Sequence, residues 1–556
     1  KWKFASRILH SAEIIARSPN AYPVLITSFK CTPDAFAVEY FKEIMQSAGK
    51  PYLILQLDEH DSTVGYETRI EAGIRAFRNH HSKSRHAQGT QKSTQTRVRI
   101  PASAKSENRS IWEKYMGSLV SEAGRLLKKD PEGFRLFSRQ LQDVQALSND
   151  FHYDMTRKPA GLKGKTLLLP CWDPCVGPLL EAVLLNSGVD ARLLESSHDS
   201  MLRSLSHNTG QCLPLNMILQ DSVDYIRKYD LDPAQTLVWS IESNLSCNFS
   251  MFPHYMKKLL NDQGDGMEQV GMYLGDIVFF DISLQTAINA FLAYNFGGNI
   301  RKMACMIRPY EISKGKTDQV VKESLEALYR MFREGRSKES VLEKIITAFE
   351  AIPVSGARKP KAAIFGDLYV RDNDLMNQDL IRVIEANGGE AVTTSYSEYI
   401  KIIADPFMER TYREGRYMEY VKYLFLKTLI PVFEEKYNRY FYRITGKPAV
   451  INPRVTDEWI SRFGLNLLHR GESFENILKI HHLAENHPDL ALFVQTNPAY
   501  CCPSLVTEAM ASRIEEITGI PVVAIEYDGT TASRNDVLIP YLKYRKKRRK
   551  RDDQIA

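Results

Sequence analysis

A chain of 556 residues is longer than one hydrophobic core can serve, so two or three compact domains are expected and a single small module is excluded. A composition of 44% hydrophobic and 25% charged residues sets aside disordered, collagen-like and coiled-coil chains, and no apolar run approaches the ~20 residues of a membrane helix. The formal charge of +6 is small for this length and gathers at Lys543, Arg545, Lys546, Lys547, Arg548, Arg549, Lys550 and Arg551; that run reads as a solvated tail, with nucleic-acid binding the minor alternative because no recognisable module accompanies it.

The chain begins at Lys1, which reads as a processed or partial chain, and KWKFASRILHSAEIIARS lacks the apolar stretch and cleavage site of a secretory signal, so a cytoplasmic location is expected. Apolar runs rich in β-branched residues then alternate with helical patterns. They stand at 23–29 (PVLITSF), 51–57 (PYLILQL), 166–169 (TLLL), 236–241 (TLVWSI), 361–365 (KAAIF), 490–495 (LALFVQ) and 520–526 (IPVVAIE). Continuous rather than alternating hydrophobicity marks strands buried on both faces, and the pattern predicts an α/β fold with parallel sheets. The expected order is a short α/β piece over 1–80, a polar linker over 81–110, a helical connector over 111–160, an α/β domain over 161–356, a second over 357–542, and the basic tail over 543–556. Residues 396–442, dense in Tyr, Phe, Glu and Arg, are read as helical.

Eight cysteines in so long a chain do not make a disulfide framework, and without a secretory signal they are expected as thiols. Five segments share one design, a strand or loop, then Cys, then an amphipathic helix: SFKCTPDAFAVEYF (Cys31), LLPCWDPCVGPLLEAV (Cys171, Cys175), NTGQCLPLNMILQ (Cys212), SNLSCNFSMFPHYM (Cys247) and NPAYCCPSLVTEAM (Cys501, Cys502). Pro33, Pro214 and Pro503 follow a Cys by one or two residues, as Pro does in a first helical turn. At a helix N-terminus the macrodipole and unpaired N–H groups favour thiolate, the metal-ligating form. A lone Cys is ordinarily a small packing residue, and Cys305 in MACMI is read that way. Repetition favours metal or cluster ligation for Cys212, Cys247, the Cys501/Cys502 pair and Cys31, while Cys171 and Cys175 stand between the two readings. No CxxC pair or zinc-finger His spacing occurs, and dispersed sulfur-only donors point to iron–sulfur chemistry.

NTGQCLPLN, SCNFSMFP, IFGDLYVRDND and NPAYCCPSLVTEAM followed by IPVVAIEYDGT resemble the carboxyl-terminal part of acyl-CoA dehydratase activase-related proteins. That region is similar to the iron–sulfur subunits of 2-hydroxyacyl-CoA dehydratases and to double-cubane cluster proteins. The resemblance implies tandem flavodoxin-like (Rossmann-like) domains with added helices, holding an oxygen-sensitive four-iron or double-cubane cluster through one Cys from each of three strand-to-helix turns. Carried over by motif, these are Cys212, Cys247 and one of Cys501 or Cys502. ITSFKCTPDAFAVEYF resembles the end of a preceding related module, with Cys31 its last ligand. The implied partners are an ATP-dependent activase domain or subunit as electron donor, an acyl-CoA or other small substrate, and further subunits. No Gly-rich phosphate-binding turn of the activase domain occurs, so ATP hydrolysis is not expected of these residues. The reading as an enzyme competes with one as a scaffold or electron-relay region of an activase.

Other polar groups are read as structural first. Asp367, Arg371, Asp372, Asn373 and Asp374 follow a buried strand and are expected to cap the next helix and pair among themselves, with Mg²⁺ binding or a place beside the cluster as the alternative. Glu526, Asp528 and Gly529 end a strand where a turn is expected, with a polar pocket floor as the alternative, and Arg308 and Glu311 are expected as an ion pair. His469, His481 and His482 are expected on solvated helix surfaces, and Asp58, Glu59, His60 and Asp61 at a turn rather than in proton transfer.

Overall fold

Each predicted apolar run supplies a strand, and every strand pair is parallel. The computed structural model describes residues 3–28, 33–57, 64–87, 161–207, 212–241, 248–413, 417–447, 457–466, 469 and 471–544. The first piece pairs β1 (Val24–Ser28) with β2 (Leu53–Leu57) among α1 (Lys3–Arg17), α2 (Pro33–Ser47) and α3 (Val64–Ala87). Residues 81–87, expected as the start of a polar linker, instead continue α3; the rest of that linker and the expected helical connector lie outside the described residues.

The next sheet contains β3 (Thr166–Leu169), β4 (Asp190–Leu193), β5 (Thr236–Ile241) and β6 (Gly271–Gly275) in the spatial order β4-β3-β5-β6. Its helices are α4 (Gly177–Asn186), α5 (His198–Ser204), α6 (Leu213–Lys228) and α7 (Phe252–Asn261), followed by α8 (Leu284–Ile307), α9 (Lys316–Glu334) and α10 (Lys338–Glu350). The last sheet contains β7 (Lys361–Gly366), β8 (Glu390–Val392), β9 (Leu490–Pro498) and β10 (Val522–Tyr527) in the order β10-β9-β7-β8. With it go α11 (Leu380–Ala386), α12 (Tyr396–Arg413), α13 (Tyr417–Thr445), α14 (Asp457–Ser461), α15 (Glu472–Asn486), α16 (Cys502–Ala509), α17 (Ala511–Thr518) and α18 (Ile539–Lys543). Numbered within itself, each sheet reads second, first, third, fourth, so the chain is an α/β protein with a flavodoxin-like strand order used twice. The order reverses between β3 and β5 and between β7 and β9, the positions at which open α/β sheets generally bind ligands beyond the carboxyl ends of their strands.

Both faces of the last sheet are covered, as its unbroken hydrophobicity requires. Along β7, Ala362 and Ile364 join the large core shared with the preceding sheet, while Ala363 and Phe365 join a separate core with Ile477 and Ile480 of α15. Helix α8 ties the sheets together. A Cβ on Gly297 would stand 2.6 Å from Cys175 O in the loop after β3, and one on Gly298 would strike Ser395 in the loop after β8. Two glycines cost an ordinary helix roughly 2 kcal/mol, and here they let one helix touch the loops of both sheets. The first piece docks through Phe36 of α2, whose ring lies 5.6 Å from Tyr255 on α7.

Candidate metal centre at the carboxyl edges of the sheets

The thiols fall at the strand ends and helix starts that the sequence singles out, with differences in detail. Cys212 is buried and is the N-cap residue of α6, with extended backbone (φ −63°, ψ 130°) and Pro in the first turn. It enters that helix from the 3₁₀ turn Leu205–His207 and the segment after it, not directly from a strand as the three-turn scheme expects. Cys501 is buried too and is the N-cap of α16 (φ −65°, ψ 112°), directly after β9. Tyr500 takes a left-handed φ of 60° to make that turn, a conformation bulky residues rarely adopt. Neither helix start has a side-chain cap hydrogen bond, and the N–H groups of Leu215 and Ser504 bond back to the carbonyls of Cys212 (3.1 Å) and Cys501 (3.0 Å). Cys502 opens α16 and is exposed. Cys31 and Cys247 lie outside the described residues.

Cys171 and Cys175 occupy the loop after β3, and burial pushes both thiols up to about 12, with Asp173 adding to the effect. A thiol so held is protonated at neutral pH, which suits packing. Cys305 is buried within α8, where burial likewise pushes it up to about 12. None of the six described cysteines is in a disulfide.

Around Cys501 the polar groups are dense. One ligand atom each of Asp367, Glu472 and Cys501 lies within 4.8 Å of the other two, bringing together the end of β7, the first turn of α15 and the N-cap of α16. Gly366 makes the approach of β7 possible: its φ is +126° and a Cβ there would strike Thr496 O of β9. Asp367 then accepts from the backbone N–H groups of Tyr369 (3.0 Å) and Val370 (2.8 Å). Lys479, fully buried on α15, donates to Gly366 O at 3.1 Å and Asn476 Oδ1 at 3.3 Å. Burial, with the nearby Arg371 charge, lowers its ammonium to about 8. Arg371 is itself buried, bonded to Asp372 at 2.5 and 2.9 Å, and lies over the Tyr396 ring. Asn497 Nδ2, Gln495 Oε1, Ser504 Oγ and Arg371 Nη1 are buried with no hydrogen-bond partner among the described residues.

The two carboxyl edges meet. Arg301 of α8 bonds Asp173 at 2.6 Å and Asp372 O at 3.2 Å, and Asn373 Nδ2 bonds Cys171 O at 3.0 Å. A Cβ on Gly529, in the turn after β10, would stand 3.2 Å from Leu213, the first residue of α6. The Cys212 end of α6 therefore lies at the junction of the sheets. Cys212 does not join the close group of Asp367, Glu472 and Cys501; a cube of iron and sulfide holds its cysteine sulfurs farther apart than a single ion does. A small apolar cavity beside this junction is lined by Pro170, Trp172, Trp239, Phe249, Phe252 and Met256, among others.

The remaining candidates resolve as structure. Asp372 pairs with Arg371, Asn373 Oδ1 accepts from Met376 N, and Asp528 accepts from Thr530 N in its turn. Arg308 and Glu311 do not pair as expected: Arg308 bonds Asp318 and Glu385, while Glu311 accepts from Gly315 N and Thr317 N at the start of α9. His469 is exposed and bonds Asn466. His481 is not solvated: it is buried against the Trp459 ring at 4.4 Å, and burial lowers its pKa, as it does for His482. Asp58, Glu59, His60 and Asp61 lie outside the described residues. Sequence reasoning missed Glu472 and Lys479. Their spacing with Glu475 and Asn476 makes one polar helix stripe, which ordinarily faces water; the fold buries it instead. No helix among the described residues is long and apolar enough to cross a membrane. The chain matches no protein-family model and no curated protein.

Proposed function

We propose that this chain is an iron–sulfur redox protein of the 2-hydroxyacyl-CoA dehydratase-like superfamily, with Cys212, Cys247 and Cys501 as the cluster ligands. The observation that carries the reading is the pair of buried N-cap cysteines, Cys212 and Cys501, at helix starts along the adjoining carboxyl edges of two parallel sheets. The donor set fits such a group. The positive ends of the α6 and α16 helix dipoles favour thiolate, and Asn497 Nδ2 and Ser504 Oγ offer hydrogen bonds that have no protein acceptor among the described residues. When bound, the cluster would supply low-potential electrons, for transfer onward or to start dehydration or reduction of a small or acyl-CoA substrate. The chain's own share is to hold the thiolates, to donate to the sulfurs and to exclude water with Trp172, Trp239, Phe249 and Phe252 beside the junction. An ATP-dependent activase domain or subunit is the proposed electron donor.

Protein purified without oxygen should be brown, contain iron and acid-labile sulfide, and give a paramagnetic resonance signal on one-electron reduction. Cys212→Ser should lower iron content and bleach the colour while far-ultraviolet circular dichroism stays unchanged. Colourless protein after anaerobic reconstitution, or full iron content in the variant, overturns the assignment. Turnover of a 2-hydroxyacyl-CoA in the presence of an activase separates an enzyme from an electron relay.

A further inference from the structure

The close group at the end of β7 has a donor set of its own. Asp367, Glu472 and Cys501 come from three different elements, yet one atom of each lies within 4.8 Å of the others. Across a tetrahedral ion with ordinary metal–oxygen and metal–sulfur bonds such donors stand roughly 3.5 Å apart, so small side-chain rotations close the site. Two carboxylates and a thiolate suit borderline ions of the zinc, iron and cobalt kind better than Mg²⁺ or Ca²⁺.

A second observation points into the same space. In register Phe365 pairs with Gln495, so Gln495 and, two residues on, Asn497 face the side on which Phe365 meets α15. Gln495 Nε2 bonds Ser504 O of α16 at 2.9 Å and Asn497 Oδ1 at 3.3 Å, which places all three side by side between β9 and α16. These residues are 0% exposed, and Gln495 Oε1, Asn497 Nδ2 and Ser504 Oγ have no hydrogen-bond partner among the described residues. Orphaned polar atoms so deeply buried call for an occupant or its bound water.

We propose that, in the chain without a cluster, Asp367, Glu472 and Cys501 bind a single divalent transition-metal ion, with Asn497 and Ser504 holding its water or its thiolate. This site needs neither Cys212 nor Cys247, so it does not rest on the cluster assignment; it shares Cys501 with it, and the two occupants exclude one another.

The test uses the full chain, stripped of metal with a chelator under anaerobic conditions and titrated with Co²⁺. One equivalent should produce a thiolate-to-cobalt charge-transfer band in the near ultraviolet. Cys501→Ser should abolish the band, Glu472→Gln and Asp367→Asn should weaken binding about tenfold or more, and Cys212→Ser should leave it unchanged. No band at stoichiometric Co²⁺ overturns the proposal, as does a band that survives Cys501→Ser or depends on Cys212. Equilibrium dialysis of Zn²⁺ against the wild type and Glu472→Gln decides the matter if Cys501→Ser does not fold: equal affinities overturn it. Iron and sulfide content of wild type and Cys212→Ser reports on the cluster separately, so either assignment can fail alone.

Discussion

Asp221 lies on the buried side of α6, two and a half turns beyond Cys212. Its Oδ2 accepts from Ser196 Oγ at 2.5 Å, and its Oδ1 has no hydrogen-bond partner among the described residues. Burial pushes its carboxyl from 3.8 up to about 7, against the lowering effect of Ser196 and Ser200. Between those values the folded protein keeps a proton that the unfolded chain releases, so this residue's contribution is complete below pH 3.8 and is lost as pH rises through about 7. Asp221→Asn removes the titration. The unfolding free energy of the variant minus that of wild type should therefore rise between about pH 5 and about pH 8, as read by urea unfolding at each pH; a difference flat with pH would return Asp221 to an ordinary carboxylate. Single residues of this kind were the least legible part of the site. Cys501 and Asp367 were visible because they end apolar runs, whereas Glu472, Lys479 and Asp221 sit in helices whose polar stripes ordinarily face water.

Elements were legible wherever a strand carries a continuous apolar run, at an edge (β10) as well as inside a sheet. β3, β5, β7 and β9 lie inside their sheets and were announced by continuous apolar runs, whereas β4 (DARL), β6 (GMYLG) and β8 (EAV) are edge strands with no such run. The junction of β7 with β9 depends on one glycine. Gly366→Ala would force a left-handed φ and drive a methyl group into Thr496 O, and should cost about 2–4 kcal/mol in urea unfolding. Gly388→Ala is the control, since its φ is also positive (+84°) but nothing lies within 4 Å of the added Cβ, and it should cost about 1–2 kcal/mol. Equal losses would show that conformation alone, and not the close approach at Thr496, makes Gly366 necessary. Helix starts obey the same local logic: Pro214 and Pro503 set the first turns of α6 and α16, and the residue before each turn, Cys212 or Cys501, becomes the N-cap.

At the scale of the whole molecule, the two sheets are joined by an ion pair that water does not reach. Arg301 is 6% exposed and Asp173 2%, and the guanidinium also reaches Asp372 O and Asp374, so one residue of α8 spans the carboxyl edges of both sheets. Removing one member leaves an uncompensated buried charge. Arg301→Met should cost about 3–5 kcal/mol, and adding Asp173→Asn should restore a good part of that loss. Additive losses in this cycle would mean that the pair contributes no coupling between the sheets.

The sequence by itself determined that parallel strands alternate with helices, that the thiols at 212 and 501 precede helices, and that turns with glycine and acidic residues follow the strands, because each of these is set by local periodicity and backbone preference. Tertiary structure alone decided how the two sheets join, that Cys501 is buried and Cys502 exposed, and that Asp367 meets Glu472 and Cys501, which lie more than a hundred residues farther along the chain. The physical reason is that burial of a polar helix face and pairing of distant strands are properties of how whole surfaces pack, and no window of neighbouring residues carries them.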